Sequence, residues 1–230
     1  MRVFRRTNTI LNSNTYILSK DNSAGVYIVD PGDSLPILEW IYSQKKVLSG
    51  IFLTHAHFDH MYGLNDLLDE FPTSCLYITS KMIDGLYCAK INTSKYHEKP
   101  YILKEGYSKN IIILGKDNWP LLWDDLNVFV LNTPGHTYDS ISLFINNYLF
   151  TGDALIPGIK VYHREKMGNT ADISFSLESI YNTFTDNTIL LPGHGSDFLL
   201  GESKNIVDFC KNEVDNGFIE IQENKIKNLF

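Results

Sequence analysis

The chain's patterning predicts an α/β fold of two packed β-sheets with helices outside, four layers in all. Three observations predict it. Strand-like and helix-like stretches alternate within each half, and a meander of strand-like runs occupies the centre. Too many neighbouring strands are joined by short turns for a doubly wound sheet. Finally, 43% of the 230 residues are hydrophobic, close to the globular average, which supplies a substantial core and suits one domain spanning 1–230.

In chain order, Asn14 to Ser19, Gly25 to Asp30 and Leu48 to Thr54 are rich in β-branched and aromatic residues and are separated by Asn, Ser, Gly and Pro, so they read as strands. Between the last two, Leu35, Ile37, Leu38, Ile41 and Tyr42 recur at helical spacing behind the cap candidates Asp33 and Ser34, which makes a strand–helix–strand crossover. Met61 to Phe71 predicts a second helix with Leu64, Leu67, Leu68 and Phe71 on one face, and Leu76 to Thr79 the next strand. From Ser80 to Lys109 the periodicity fades. An ordinary surface connection with some helix is the expectation there, and a lid is the alternative. Strand patterning returns at Ile111 to Leu114, Leu126 to Asn132, Ser140 to Ile145 and Tyr148 to Thr151, with Asn146-Asn147 as a two-residue hairpin turn. A helix over Ile173 to Phe184, a strand over Thr188 to Leu191 and a final helix around Ser203 to Val214 complete the order.

The net charge of −7 argues against general affinity for nucleic acid phosphates. The basic stretch Met1 to Arg6 runs into the polar stretch Thr7 to Asn14 instead of an apolar export segment, and no run of about eighteen apolar residues occurs. Cys75, Cys88 and Cys210 are odd in number and lack CxxC spacing, so they are expected as buried free thiols. A soluble, cytoplasmic protein without membrane partners is the expectation.

Chemistry concentrates in Thr54-His55-Ala56-His57-Phe58-Asp59-His60, between a predicted strand and a predicted helix, where functional loops cluster. On an extended segment alternate side chains share a face, so His55, His57 and Asp59 point one way while His60 turns off at the helix. Three further pieces each follow a strand-like run: Thr133-Pro134-Gly135-His136, Thr151-Gly152-Asp153 and Pro192-Gly193-His194-Gly195. Glycine beside each ligand candidate lets the loop take backbone angles that bulkier residues resist.

Together these pieces resemble the metallo-β-lactamase superfamily, and within it the glyoxalase II-like hydrolases, over about Asn14 to Ser196. The resemblance implies a four-layer αββα sandwich with the site along one edge of its sheets. It implies that His55, His57 and His136 hold one metal ion, that Asp59, His60 and His194 hold a second, and that Asp153 bridges them. Val29-Asp30-Pro31-Gly32 resembles the superfamily's first motif, whose Asp supports the site without being a ligand. Nitrogen and carboxylate donors suit two divalent ions, Zn²⁺ first, with Fe²⁺ and Mn²⁺ also matched. Such a pair lowers the pKa of a shared water and polarises a carbonyl or phosphoryl oxygen, so that a bridging hydroxide attacks. Asp59 is the expected catalytic carboxylate, orienting the nucleophile and exchanging protons. Asp30 and the Thr54 hydroxyl are expected to fix the imidazoles. Tyr138 and Arg164 are candidates for substrate contact, weighed against packing and a surface ion pair. His97 and His163, each isolated, are expected to be solvated or hydrogen-bonded.

The expected substrate is a small molecule, a thioester before an ester, lactone or phosphodiester, and homo-oligomers are compatible with the sequence. Class B β-lactamases generally lack an Asp matching Asp153. Flavodiiron proteins place an acidic residue at His57, and the RNA-processing members need more room between Asp153 and His194. Full-length glyoxalase II enzymes carry a helical domain after the last His ligand, where only Gly195 to Phe230 stands here. Two alternatives come from other classes. A persulfide dioxygenase-like oxidoreductase would hold one iron through His55, His136 and Asp153. A non-enzymatic metal-binding protein would be marked by ligand loss, and no ligand is lost.

Overall fold

In the computed structural model the described residues are 1–115, 120–163, 167–203 and 218–221. The chain divides into two compact units, one of Met1–Asn118 with Val214–Glu220 and the other of Trp119–Glu213 with Ile221–Phe230. Each contains one mixed sheet with its own helices, as the predicted α/β class requires.

In the first unit the elements are β1 (Arg2–Thr7), β2 (Asn14–Ser19), β3 (Gly25–Val29), α1 (Ser34–Ser43), β4 (Val47–Phe52), α2 (Leu64–Glu70), β5 (Cys75–Ile78), α3 (Ile83–Tyr87) and β6 (Ile111–Ile113). Among the described residues the sheet runs from the late strand Ile219–Glu220 through β1 to β6 in sequence order. β1 to β3 are antiparallel, and β3 to β6 are parallel neighbours. Parallel strands are covered on both faces, and Ile28, Ile51, Phe52, Leu76 and Ile78 are accordingly buried. β1 was not expected, because Arg2, Arg5 and Arg6 obscure its alternation. Val3 and Thr7 are buried, whereas Arg2 is partly exposed and pairs with Asp21 and Glu220.

Helix α1 matches its predicted span, but only Ile37 and Ile41, one turn apart, enter the core; Leu35 and Tyr42 are exposed. Asp33 occupies the N-cap position without capping. Its carboxylate instead accepts the Thr9 amide at 2.7 Å and the Thr9 hydroxyl at 3.0 Å. Helix α2 starts with its apolar face at Leu64 and not at Met61 as predicted, because Met61 to Gly63 form a turn whose Gly63 amide bonds to the Pro31 carbonyl. Residues 80–109 form a packed connection of short turns around α3. Asn92 donates to the carbonyls of Gly85 and Tyr101, and Met82, Leu86 and Leu103 are buried.

The second unit contains β7 (Leu121–Leu122), β8 (Leu126–Asn132), β9 (Ile141–Ile145), β10 (Tyr148–Gly152), α4 (Thr170–Thr183), β11 (Ile189–Pro192), β12 (Phe198–Leu199) and α5 (Leu200–Ser203). Its sheet order is β12-β11-β10-β9-β8-β7, with only β10 and β11 parallel, joined by the α4 crossover. The β9–β10 hairpin turns at Asn146-Asn147 as expected, Asn146 taking a φ of 60° that asparagine tolerates. Helix α4 begins earlier than predicted, because the Asn169 side chain accepts the Asp172 amide at 2.8 Å and caps it. Leu149, Leu155, Ile180, Leu190 and Leu200 form its core cluster.

The final helix predicted around Ser203 to Val214 lies almost wholly outside the described residues, as does Cys210. Cys75 and Cys88 are free thiols and only half-buried, since they sit where their elements meet solvent, so full burial is corrected. Among the described residues no helix is long and apolar enough to cross a membrane.

Candidate metal centre

The first unit presents its donors where β3 and β4 end. Asp30 directly follows β3, is buried, and has a left-handed backbone (φ 54°) that aspartate accepts more readily than most residues. Its Oδ1 accepts the Thr54 amide at 2.8 Å; its Oδ2 accepts the Thr54 hydroxyl at 2.6 Å and His60 Nδ1–H at 3.0 Å. With its proton committed to Asp30, Thr54 Oγ1 accepts His55 Nδ1–H at 3.1 Å. A carboxylate has nothing to donate, so this chain of bonds fixes both imidazoles as the Nδ1–H tautomer and leaves each Nε2 a lone pair. Asp30 thus bonds directly to the His60 imidazole and Thr54 to that of His55.

The shared face of His55, His57 and Asp59 is corrected. The segment is not extended through Asp59; the 3₁₀ turn Phe58–His60 brings Asp59 Oδ2 to 3.4 Å from His60 Nε2. The ring centroid of His55 lies 4.7 Å from that of His57 and 4.3 Å from that of His60. Donor atoms of His55 and His57, of His55 and His60, and of Asp59 and His60 lie within 4.8 Å of each other.

The second unit presents its donors after β8, β10 and β11. His136 donates Nδ1–H to the Tyr162 carbonyl at 2.6 Å, which again leaves Nε2 as the acceptor. Asp153 Oδ2 lies 3.4 Å from that Nε2 and 3.5 Å from His194 Nε2. The glycines serve as expected: Gly135, Gly152 and Gly195 have φ values of 135°, 50° and 79°. The His136 loop is gripped by residues that sequence reasoning missed. Ser176 of α4 donates to the Pro134 carbonyl at 2.6 Å, and Gly168 packs against the Gly135 and His136 backbone. A carbonyl and a glycine leave no side-chain signature; the signal that existed was a small polar residue, Ser176, fully buried on α4.

Metal ions fit this donor set. Around His60 and around His136, an Nε2 lone pair faces a carboxylate oxygen at 3.4 Å, and two acceptors that close repel unless a cation or proton lies among them. Asp153 repeats the pattern with a second imidazole on the same oxygen. The donors are nitrogen and carboxylate oxygen throughout, the set that Zn²⁺ and neighbouring first-row ions take.

The other candidates separate. Tyr138, on the His136 loop, is 37% exposed, and Arg164 lies outside the described residues. His97 Nδ1 accepts the Lys99 amide at 3.4 Å while its ring packs on Phe58 and Tyr62, and His163 Nε2 is 3.1 Å from the Thr170 hydroxyl, so both are hydrogen-bonded as expected.

A methyl group at Gly168 would stand 1.8 Å from the Gly135 carbonyl oxygen and 2.7 Å from that of His136. Gly168→Ala is therefore expected to lower stability by about 1–3 kcal/mol through overpacking and to reduce bound metal by shifting His136. Thermal denaturation and elemental analysis check this; wild-type values in both would contradict it.

Comparison with known proteins agrees with this geometry. The family model of the metallo-beta-lactamase superfamily matches residues 8–194, a span that contains every ligand candidate. A hydroxyacylglutathione hydrolase of Salmonella arizonae is 31% identical over 179 residues, 78% of this chain and 60% of the relative, so the chain spans about three fifths of that protein. A probable metallo-hydrolase of Streptococcus pyogenes serotype M6 is 28% identical over 224 residues, covering 91% of this chain and 90% of the relative. Among solved structures, the BLEG-1 B3 metallo-beta-lactamase matches with a TM-score of 0.77 and 25% identity, covering 89% of this chain and 97% of that one. With fold, donor set and family model in agreement, the chain belongs to the metallo-beta-lactamase superfamily and carries its α/β fold.

Proposed function

We propose that the chain is a hydrolase working with two divalent metal ions, Zn²⁺ before Fe²⁺ or Mn²⁺, on a small thioester, with ester, lactone and phosphodiester as the next classes. The carrying observation is Asp153 Oδ2 facing two imidazole nitrogens at 3.4 and 3.5 Å, which supports a carboxylate that two cations would share. His55, His57 and His136 would hold one ion, Asp59, His60 and His194 the other, and Asp153 both. When bound, the ions would supply Lewis acidity: a water acidified toward neutral pH and a polarised carbonyl or phosphoryl oxygen.

The chain's own residues have separate tasks. Asp30 and Thr54 keep His55 and His60 in the tautomer that can ligate. Tyr162 does the same for His136 through its carbonyl. Asp59, 5% exposed, orients the attacking water and holds its proton until the leaving group takes it. Tyr138 is proposed to touch the substrate. The thioester preference follows the relative named hydroxyacylglutathione hydrolase; because the chain spans only part of it, glutathione recognition is not part of the proposal. The half-buried thiols Cys75 and Cys88 suit a reducing compartment such as the cytoplasm.

The test is elemental analysis of protein purified without chelator, paired with a panel of thioesters, lactones, phosphodiesters and β-lactams, the last included for the BLEG-1 likeness. Two ions per chain with thioester hydrolysis is the expected result. One iron with oxygen uptake on a persulfide would replace this function with the oxidoreductase alternative. His136→Ala is expected to lose one of the two ions preferentially, and unchanged metal content in that variant would remove His136 from the ligand set.

A further inference from the structure

Resting on the proposed two-ion reading, we infer that the buried ends of the turn between β1 and β2, Asn8 and Ser13, hold the second ion's ligands in place, with Ser13 as a positioning residue for Asp59 and His60. Thr9 and Leu11 in the turn are exposed, yet Asn8, Ser13, Asn14 and Thr15 are all 0% exposed. Buried polar groups need partners, and these find theirs in one another and in the backbone of the acidic residues.

Ser13 Oγ donates to the Asp59 carbonyl at 2.7 Å. That oxygen belongs to the peptide joining Asp59 to His60, the two adjacent proposed ligands. Asn8 Nδ2, which can only donate, hydrogen-bonds to Ser13 Oγ at 3.0 Å, and the hydroxyl's own proton favours the Asp59 carbonyl over that of Ile10, which stands at 3.4 Å. Asn8 Oδ1 accepts the Asp33 amide at 3.2 Å, and the Asn8 amide itself donates to the Ser13 carbonyl at 2.7 Å. Beside it, Thr15 Oγ1 donates to the Asp30 carbonyl at 2.7 Å and accepts the Gly32 amide at 3.1 Å. Gly32 completes the grip by close approach: a Cβ there would stand 2.3 Å from Asn8 Nδ2 and 2.6 Å from the Asp59 carbonyl oxygen.

The 3₁₀ turn that carries Asp59 and His60 is three residues long and has little stiffness of its own. Its direction depends on what holds its peptides. Ser13 holds the peptide and Asp30 holds the His60 ring, so the pair is fixed at both ends. His55 is steadied through Thr54 and the Asp30 carboxylate, a path that does not run through the Ser13 hydroxyl. Loss of the Ser13 hydroxyl should therefore weaken one ion and spare the other.

The experiment is titration of metal-free protein with Zn²⁺ by calorimetry, for wild type, Ser13→Ala and Ser13→Thr. Ser13→Ala is expected to weaken one of two binding steps about tenfold or more, the scale of losing a supporting partner, and to leave the other unchanged. Ser13→Thr, which keeps the hydroxyl, is expected to restore it. Two unchanged steps in Ser13→Ala overturn the positioning role while leaving the two-ion function standing. A wild type that takes no second ion overturns both. Should Ser13→Ala not fold, hydrogen exchange of the wild type decides. Coupling is reciprocal, so Zn²⁺ must slow exchange at the Asn8 and Ser13 amides, and equal rates with and without metal overturn the inference.

Discussion

Asp59→Asn is expected to reduce turnover by about a hundredfold or more while the protein stays folded. The substitution keeps the side chain's shape, and the bonds that hold the 3₁₀ turn, Ser13 to the Asp59 carbonyl and Asp30 to His60, do not involve the Asp59 carboxylate. The melting temperature should therefore move little. What changes is proton capacity: an amide cannot take a proton from water and return it to a leaving group, and it is also a weaker ligand. Assays at saturating Zn²⁺ separate the two losses. A kcat that stays depressed when two ions are bound assigns the defect to proton handling, whereas near-normal turnover would end the catalytic role proposed for Asp59.

The donors were legible in the sequence because strand-like runs ended in short loops dense with His, Asp and Gly, and the structure puts those loops at the ends of β4, β8, β10 and β11. The α1 crossover and the β9–β10 hairpin were legible for the same reason: period and turn chemistry agree there with tertiary structure. Other features left weaker signals. Three arginines among the six residues of β1, two of them adjacent, broke its alternation, and β7 and β12 are two-residue strands too short to show a period. The direction of Asp59 was misjudged because a 3₁₀ turn replaces the extended backbone on which alternation depends. The support around the site was hardest to see. Asn8 and Ser13 belong to residue types that usually mark exposed turns, and only burial distinguishes them. The grip of Tyr162 and Gly168 on the His136 loop acts through main chain, which side-chain patterns do not report.

The largest effect on metal binding is expected from Asp30→Asn, and its reasoning is one of proton direction. Asparagine suits the left-handed backbone at this position, so the fold should survive. Its Oδ1 can still accept the Thr54 amide, but an NH₂ group now occupies the place of Oδ2, which accepts the Thr54 hydroxyl at 2.6 Å and His60 Nδ1–H at 3.0 Å. The amide must donate to both. His60 then has to accept at Nδ1 and carry its proton on Nε2, the atom that would bind metal. The Thr54 hydroxyl, released from Asp30, can turn its proton to His55 Nδ1 at 3.1 Å and reverse that ring as well. One substitution that replaces no metal ligand thus removes a lone pair from both sites, and the affinity for each ion should fall about 10–100-fold. Asp30→Ala should behave differently. It leaves buried donors of Thr54 and His60 without an acceptor at about 1–3 kcal/mol each, so it should fail first in stability. Zn²⁺ titration and thermal melts of the two variants side by side check this, with His60 tautomers read from ¹⁵N chemical shifts of the metal-free proteins. Wild-type affinity in a folded Asp30→Asn variant, or an Nδ1–H tautomer persisting at His60, would show that Asp30 does not set the direction of the imidazoles.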